Sequence, residues 1–316
     1  MNKTRKIITS FLIIALIFCS GLIVKEIADN IMIKAKAKEA EEQIIIAKKK
    51  ELLEILSNNE NVEEVIKEEI KPDYSEFKKQ NSDTVGWITV PNTNINYPVV
   101  QGKDNDYYLK HDFEKASNKN GAVFMDYRNN PTNLNTNTII YAHNTYSDTM
   151  FSDLVRYQDI EFLKENPIIT FDTMEAYKKW VICAVFITNA VPEDDNGYVF
   201  NYICPEMGES FKGYKEEVLK RSLYSTGVDF NSDDEILTLS TCCRDLDLYN
   251  KNGVRTYRAN ARIVIIAKAL ENNESGYGLV DNAKENPSPK YPQLYYDKYG
   301  IQNPYKADAR WYPTSN

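Results

Sequence analysis

Apolar residues change their spacing from one region of the chain to the next. Residues 7–24, IITSFLIIALIFCSGLIV, form an uncharged apolar run after the basic start MNKTRK. At ~1.5 Å rise per residue, a helix of this length nearly matches a ~30 Å hydrocarbon core. A cleaved signal peptide would need a shorter apolar region and a small-x-small site, and FCSGLIVKE is a poor one. An uncleaved membrane anchor over 7–24 is the expectation, with 1–6 as a short tail before it. Lysines flank the run on both sides, so the distribution of charge does not fix its orientation. From 25 to 73 the pattern turns to Ala, Glu, Lys, Ile and Leu. AKAKEAEEQIIIAKKKELLEIL reads as helix, and its heptads are too irregular for a coiled coil. This segment is read as a charged helical stalk and linker, ending in a short helix near DYSEFKKQ.

The period then shifts to that of strands. Val85–Val90 and Ile95–Gln101 are short strand candidates parted by Pro and Asn turns. GAVFMDY, NTIIYAH, IITFDTM, KKWVICAVFIT, DEILTLSTC and ARIVIIAKAL follow. Helical spacing interrupts them in MFSDLVRYQDIEFLKEN and in ESFKGYKEEVLKRSLYS. Many short strands with turn signals predict a mainly β domain, a barrel or sandwich with flanking helices, over 74–270. The last stretch, 271–316, is rich in Pro, Asn and Tyr and has little periodicity. A disordered tail is the default for such a composition. Its seven tyrosines and Trp311 make packing on the domain, or binding of wall polymer or a partner, the competing expectation.

A formal net charge of -8 over 316 residues gives no basic patch to suggest a nucleic-acid partner. Five cysteines with irregular spacing and no CxxC argue against a disulfide framework or a structural zinc. The only histidines are His111 and His143, so any histidine chemistry must use one of them.

Strand alternation on DEILTLSTC puts Leu237, Leu239 and Thr241 on one face and Thr238, Ser240 and Cys242 on the other. The second set suits a groove floor that ends in a thiol. Cys243, the next residue, points with the first set. His143 closes the apolar strand NTIIYAH. Arg262 sits near the start of ARIVIIAKAL, where an unpaired guanidinium would be costly without a partner or an aqueous groove. A thiolate is a nucleophile, an imidazole can carry a proton, and a guanidinium can donate to a developing oxyanion. Thiol, imidazole and guanidinium together suit acyl transfer. The residues alone also permit plainer roles. A strand cysteine is commonly core filler, as Cys183 in WVICAVF is read, and a strand-end histidine commonly lies at the surface.

The motifs, in their order, resemble those of the sortases, specifically class B. TLSTC is similar to the sortase TLxTC pattern, and YAHN followed by TMFSDL resembles the histidine segment. ARIVIIAK resembles the strand that bears the sortase arginine. GWITVPNTNINYPVVQG, DYYLKHDF and GAVFMDYRN resemble the opening of the class B domain. The resemblance covers about 74–270 and implies a closed β-barrel. It implies Cys242 as nucleophile, His143 as acid/base and Arg262 as oxyanion or substrate-positioning residue. Ser240 and Thr241 would shape the substrate-binding subsite. His111 is expected to be structural. Arg244, Arg255 and Arg258 rival Arg262 but are expected in a loop. No metal or organic cofactor is implied.

The implied reaction cleaves an NPxTx-like sorting motif of secreted proteins and passes them to a peptidoglycan amine. Substrate and amine both lie outside the membrane, so the catalytic domain is expected on the extracellular side, with the N-terminus inside. The alternatives are a pilin-polymerising enzyme with a lysine acceptor, a cysteine peptidase, and an inactive envelope-binding protein that keeps the fold.

Overall fold

A computed structural model describes residues 74–314 apart from 175, 176, 272, 273 and 275. The expected N-terminal tail, membrane anchor and stalk, 1–73, lie outside the described residues. Among the described residues, no helix is long and apolar enough to cross a membrane.

Helix α1 (Ser75–Gln80) leads into β1 (Thr84–Thr89), β2 (Asn96–Gln101), β3 (Val123–Met125) and β4 (Asn137–Tyr141). A 3-10 segment, Ser152–Gln158, and α2 (Ile160–Glu165) connect to β5 (Ile168–Thr173) and β6 (Lys179–Asn189). Then come α3 (Phe211–Arg221), β7 (Tyr224–Ser225) and β8 (Ile236–Cys242). The hairpin β9 (Leu248–Tyr249) and β10 (Arg255–Tyr257) precedes β11 (Ala261–Ala269). The chain continues through β12 (Lys284–Glu285) and α4 (Gln293–Tyr299).

Eight strands close into a barrel in the order β1-β2-β3-β4-β8-β11-β6-β5. Each of the eight strands predicted from the pattern is one of these staves. Closure leaves no strand edge in the barrel open to another chain. Two neighbour pairs are parallel, β2 with β3 and β4 with β8. Sequence spacing does not reveal that pairing.

The barrel interior is filled from alternate positions. Leu237 and Leu239 of β8 meet Ile263 and Ile265 of β11, Ile140 of β4 and Trp180 of β6, all fully buried. Each such aliphatic side chain contributes roughly 1.5–3 kcal/mol on leaving water. A second apolar layer lies outside the staves. Phe186, Val264 and Ile266 face Phe211, Tyr214 and Val218 of α3, together with Phe200 and Tyr202. This explains why WVICAVFIT and ARIVIIA read as unbroken apolar runs, since both faces are covered. The register slip between Ile266 and Ala267 leaves Cys183 as the extra residue of β6. Cys183 is buried in the outer layer, as filler.

The described part of the tail is ordered and packed, which overturns the default of disorder. Its composition offers no period, because it forms few elements of its own and takes its partners from the elements that surround the barrel. β12 pairs with β7. Trp311 packs on Phe200 and Tyr214, at centroid distances of 5.7 and 6.2 Å. Gly213 of α3 makes the seat, because a Cβ there would come within 2.1 Å of the Trp311 indole nitrogen. Lys290 reaches the carboxylates of Glu217 (3.2 Å) and Asp308 (3.3 Å), and Glu217 also pairs with Arg221 one helical turn on.

Burial alone would raise the Glu217 carboxyl, but Arg221 and Lys290 outweigh it and hold it below the usual carboxylate range. An unfolded glutamate titrates near ~4.3 and the folded one lower. The stabilisation is therefore complete above that ordinary value and is lost as pH falls through it toward the folded value. Glu217→Gln leaves Arg221 and Lys290 without their shared anion and is expected to cost about 3 kcal/mol at neutral pH. Thermal melts of both proteins from pH 7 to pH 3 should show the gap narrowing on the acid side.

Candidate active site

Three adjacent staves bring the candidate residues to one end of the barrel. β4 and β8 run parallel with Tyr141 opposite Ser240, so the chain leaves both strands on the same side. The two residues after Tyr141 lead to His143, and β8 ends on Cys242. On the other flank β11 is antiparallel, and its register sets Arg262 directly across from Cys242. Cys242, His143 and Arg262 all line a cleft of about 440 Å³, and all three are partly exposed. Cys242 is a free thiol.

His143 is held from its far side. Its Nε2 lies 2.9 Å from the carbonyl oxygen of Leu109. A carbonyl only accepts, so Nε2 is the donor in this contact. The segment that presents Leu109 crowds the ring. Gly121, at φ +60°, would place a Cβ 2.4 Å from the Tyr108 carbonyl oxygen and 3.2 Å from the His143 ring. Only glycine meets both demands without strain. After His143 the chain turns tightly. The Phe151 amide donates to the His143 carbonyl, and Ser152, Thr145 and Thr149 share a hydroxyl cluster.

Asn144 ties the histidine segment to the cysteine strand, because its side-chain amide donates to the Cys242 carbonyl at 2.8 Å. Arg244 in turn donates to the Asn144 carbonyl and stacks over Tyr146, 3.9 Å from the ring centroid. That guanidinium is occupied as a clamp. Arg255 lies on β10 rather than in the expected loop, paired with Asp247 at 3.1 Å. Arg258 lines the cleft from the exposed segment before β11. Of the four arginines, Arg262 is the one that shares a ladder position with Cys242. His111 lies elsewhere, stacked on Tyr107 with Nδ1 2.8 Å from that residue's carbonyl oxygen.

The floor differs in one respect from the alternation argument. Cys242 and Ser240 line the cleft, but Thr238 is fully buried beneath the outer layer and donates to Asn137. The groove therefore opens only where that layer stops. Ser240 meets the Tyr202 hydroxyl at 2.9 Å, and Thr241 donates to the Ala142 carbonyl at 2.7 Å. Both are nearly buried, so their hydroxyls set the floor and the β4–β8 junction. Tyr202 belongs to the buried outer layer and supports Ser240 from behind. Burial pushes its phenol up, and the nearby Arg262 guanidinium works in the opposite sense. On the opposite wall Asn105 and Tyr141 both donate to the buried carboxylate of Asp126, which Arg128 clamps with two bonds of 2.8 Å. Among the described residues, no three or more His, Cys, Asp or Glu side chains gather as metal ligands.

The two adjacent cysteines face different surroundings. Cys243 sits in the interior cluster at 2% exposure, and burial pushes its thiol up to about 12. Cys183 is pushed to about 12 for the same reason. Iodoacetamide at pH 8 should therefore label Cys242 in the native protein well before Cys183, Cys204 or Cys243. Peptide mapping after partial alkylation reads the order. Equal labelling of Cys243 would contradict the burial described.

Residues 88–269 match the sortase domain. A sortase B of Listeria monocytogenes is 37% identical over 181 residues, covering 57% of this chain and 70% of that protein. A sortase B of Staphylococcus aureus is 35% identical over 204 residues, covering 65% and 77%. The crystal structure of Staphylococcus aureus sortase B superposes with a TM-score of 0.59 at 29% identity, covering 75% of this chain and 98% of that one. The chain thus belongs to the sortase family, in its class B branch, the cysteine transpeptidases that act on proteins bearing a sorting motif.

Proposed function

We propose that this protein anchors secreted proteins covalently to the cell envelope, with Cys242 as nucleophile, His143 as acid/base and Arg262 as oxyanion donor. The observation that carries this reading is the placement of Cys242 between the ends of β4 and β11, opposite Arg262 and beside His143 in one cleft. The Cys242 sulfur attacks the carbonyl carbon of the scissile peptide bond as its thiol proton passes to His143. The oxyanion that develops lies where Arg262 can donate to it. The carbon–nitrogen bond breaks, and His143 gives its proton to the leaving amine. A thioester remains. An acceptor amine then attacks the thioester, loses its proton to His143, and releases the Cys242 sulfur, which takes that proton back. A covalent intermediate divides one difficult amide exchange into two easier steps.

The motif in this reading is NPxTx-like, and the acceptor is a peptidoglycan amine. Residues 7–24 anchor the chain as a single span with the N-terminus inside, which places the cleft where exported substrates and wall amines meet. Ser240 and Thr241 shape the floor under the substrate, and the Asp126 cluster fixes the opposite wall.

The test is an intact-mass assay of the protein with NPxTx-type and LPxTG-type peptides. A peptide-sized acyl adduct on the parent, absent from Cys242→Ala, supports the reading. His143→Ala should slow adduct formation by roughly 10²–10⁴-fold. Arg262→Lys should slow it by roughly 10²–10³-fold, because an ammonium does not reproduce the guanidinium fork. Addition of wall-type amines should discharge the adduct. Discharge by a pilin-type lysine peptide alone would move the acceptor to pilin, and no adduct with either motif would overturn the reading.

A further inference from the structure

The chain from Cys242 to Arg262 makes a long excursion, residues 243–260, whose only regular structure is the exposed hairpin β9–β10. Arg244, Asp247, Arg258 and Asn260 of this excursion form one wall of the cleft. A loop of this length is held by its contacts and not by the barrel ladder. Two buried carboxylates supply part of the hold. Asp247 accepts from the Ala259 amide at 2.9 Å, and Asp194 accepts from the Asn260 amide at 2.8 Å and from the Tyr257 hydroxyl.

A further hold comes from the tail, beyond residue 269 where the family match ends. The Lys298 ammonium, on α4, donates to the backbone carbonyls of Asp245 and of Asp247, the latter at 3.0 Å. The first amide of α4, that of Gln293, donates to Asp195 at 2.8 Å, the residue next to Asp194. Helix α4 thus bridges two anchors of the same loop. Leu294 and Tyr295 pack against the core cluster that contains Cys243 and Leu246. The rest of the tail is locked by Trp311 over Gly213 and by Lys290 between Glu217 and Asp308.

We infer that the C-terminal tail is a working part of the active site, with Lys298 as a positioning residue that sets the 243–260 wall for the sorting peptide. The inference rests on the reading of Cys242 as the nucleophile. A wall ordered before binding spares the substrate the cost of ordering it, so its loss appears in KM. Cys242 and Arg262 stay fixed by the β8–β11 ladder, so the chemical step is little affected.

The experiment uses the full chain with Lys298→Met, Lys298→Arg and, as a control on an exposed tail side chain, Lys306→Met. Amide hydrogen exchange over 243–260 is measured first. It should rise in Lys298→Met and stay at the parent level in Lys306→Met. Acylation by a sorting peptide should then show KM raised roughly ten-fold with kcat within about two-fold. Alkylation of Cys242 by iodoacetamide should be unchanged, and Lys298→Arg should recover most of the loss. Unchanged exchange in Lys298→Met would overturn the inference whatever the chemistry. Parent-like KM, or kcat and alkylation falling together with the melting temperature, would also overturn it, the latter by making the role merely structural. A parent that never acylates would overturn the nucleophile reading, and the inference with it. A parent that acylates while Lys298→Met matches it would overturn the inference alone.

Discussion

The ladder of backbone hydrogen bonds that joins β8 to β4 on one side and to β11 on the other sets the geometry of the cleft. Side chains alternate along a strand, so a slip of one residue would turn Cys242 inward and Cys243 outward. The same slip would take Arg262 off its place across from Cys242. The register is fixed by the apolar alternation, since Leu237, Leu239, Ile263 and Ile265 must all point into the barrel. The chemistry at the cleft is thus held in place by packing far from it. Closure of the barrel strengthens this, because a slip at one pair would have to pass round every stave.

The difference between the two adjacent cysteines follows from the same alternation. They share a sequence position to within one residue and share no environment. Cys242 ends the outward row in the cleft that His143 and Arg262 also line, where its sulfur is open to a substrate. Cys243 lies among aliphatic side chains, where the charged form is disfavoured. A neighbouring thiol at the end of β8 is therefore compatible with the single nucleophile proposed.

The outer layer decides where the barrel surface is open. Over most of β6, β8 and β11 it is covered by α3 and by Tyr198, Phe200 and Tyr202. The tail completes that cover by placing Trp311 on a glycine and Lys290 beside two carboxylates. Buried charges of this kind are stable only as a set, so the tail and α3 depend on each other. The cleft begins where the cover ends, between Thr238 and Ser240, and α4 reaches one of its walls through Lys298.

The sequence by itself determined the eight staves, because period-2 patterning and unbroken apolar runs report burial on one or two faces directly. It also singled out Cys242, His143 and Arg262, because a thiol, an imidazole and a guanidinium at strand ends are chemically conspicuous and TLSTC resembles a family motif. It placed Cys183 in the core and opposed Cys243 to Cys242 by alternation alone. Only the tertiary structure decided which strands pair in parallel, that Thr238 is sealed off while Ser240 reaches the cleft, and that Asn144, Leu109 and Gly121 hold the histidine segment. Those contacts join residues far apart in the chain, often through a backbone carbonyl or a missing side chain, and leave no periodic trace. The tail is the clearest case. Its composition lacks a period because its order is borrowed, with Trp311, Lys290 and Lys298 each finding partners around the barrel roughly 50–110 residues earlier in the chain.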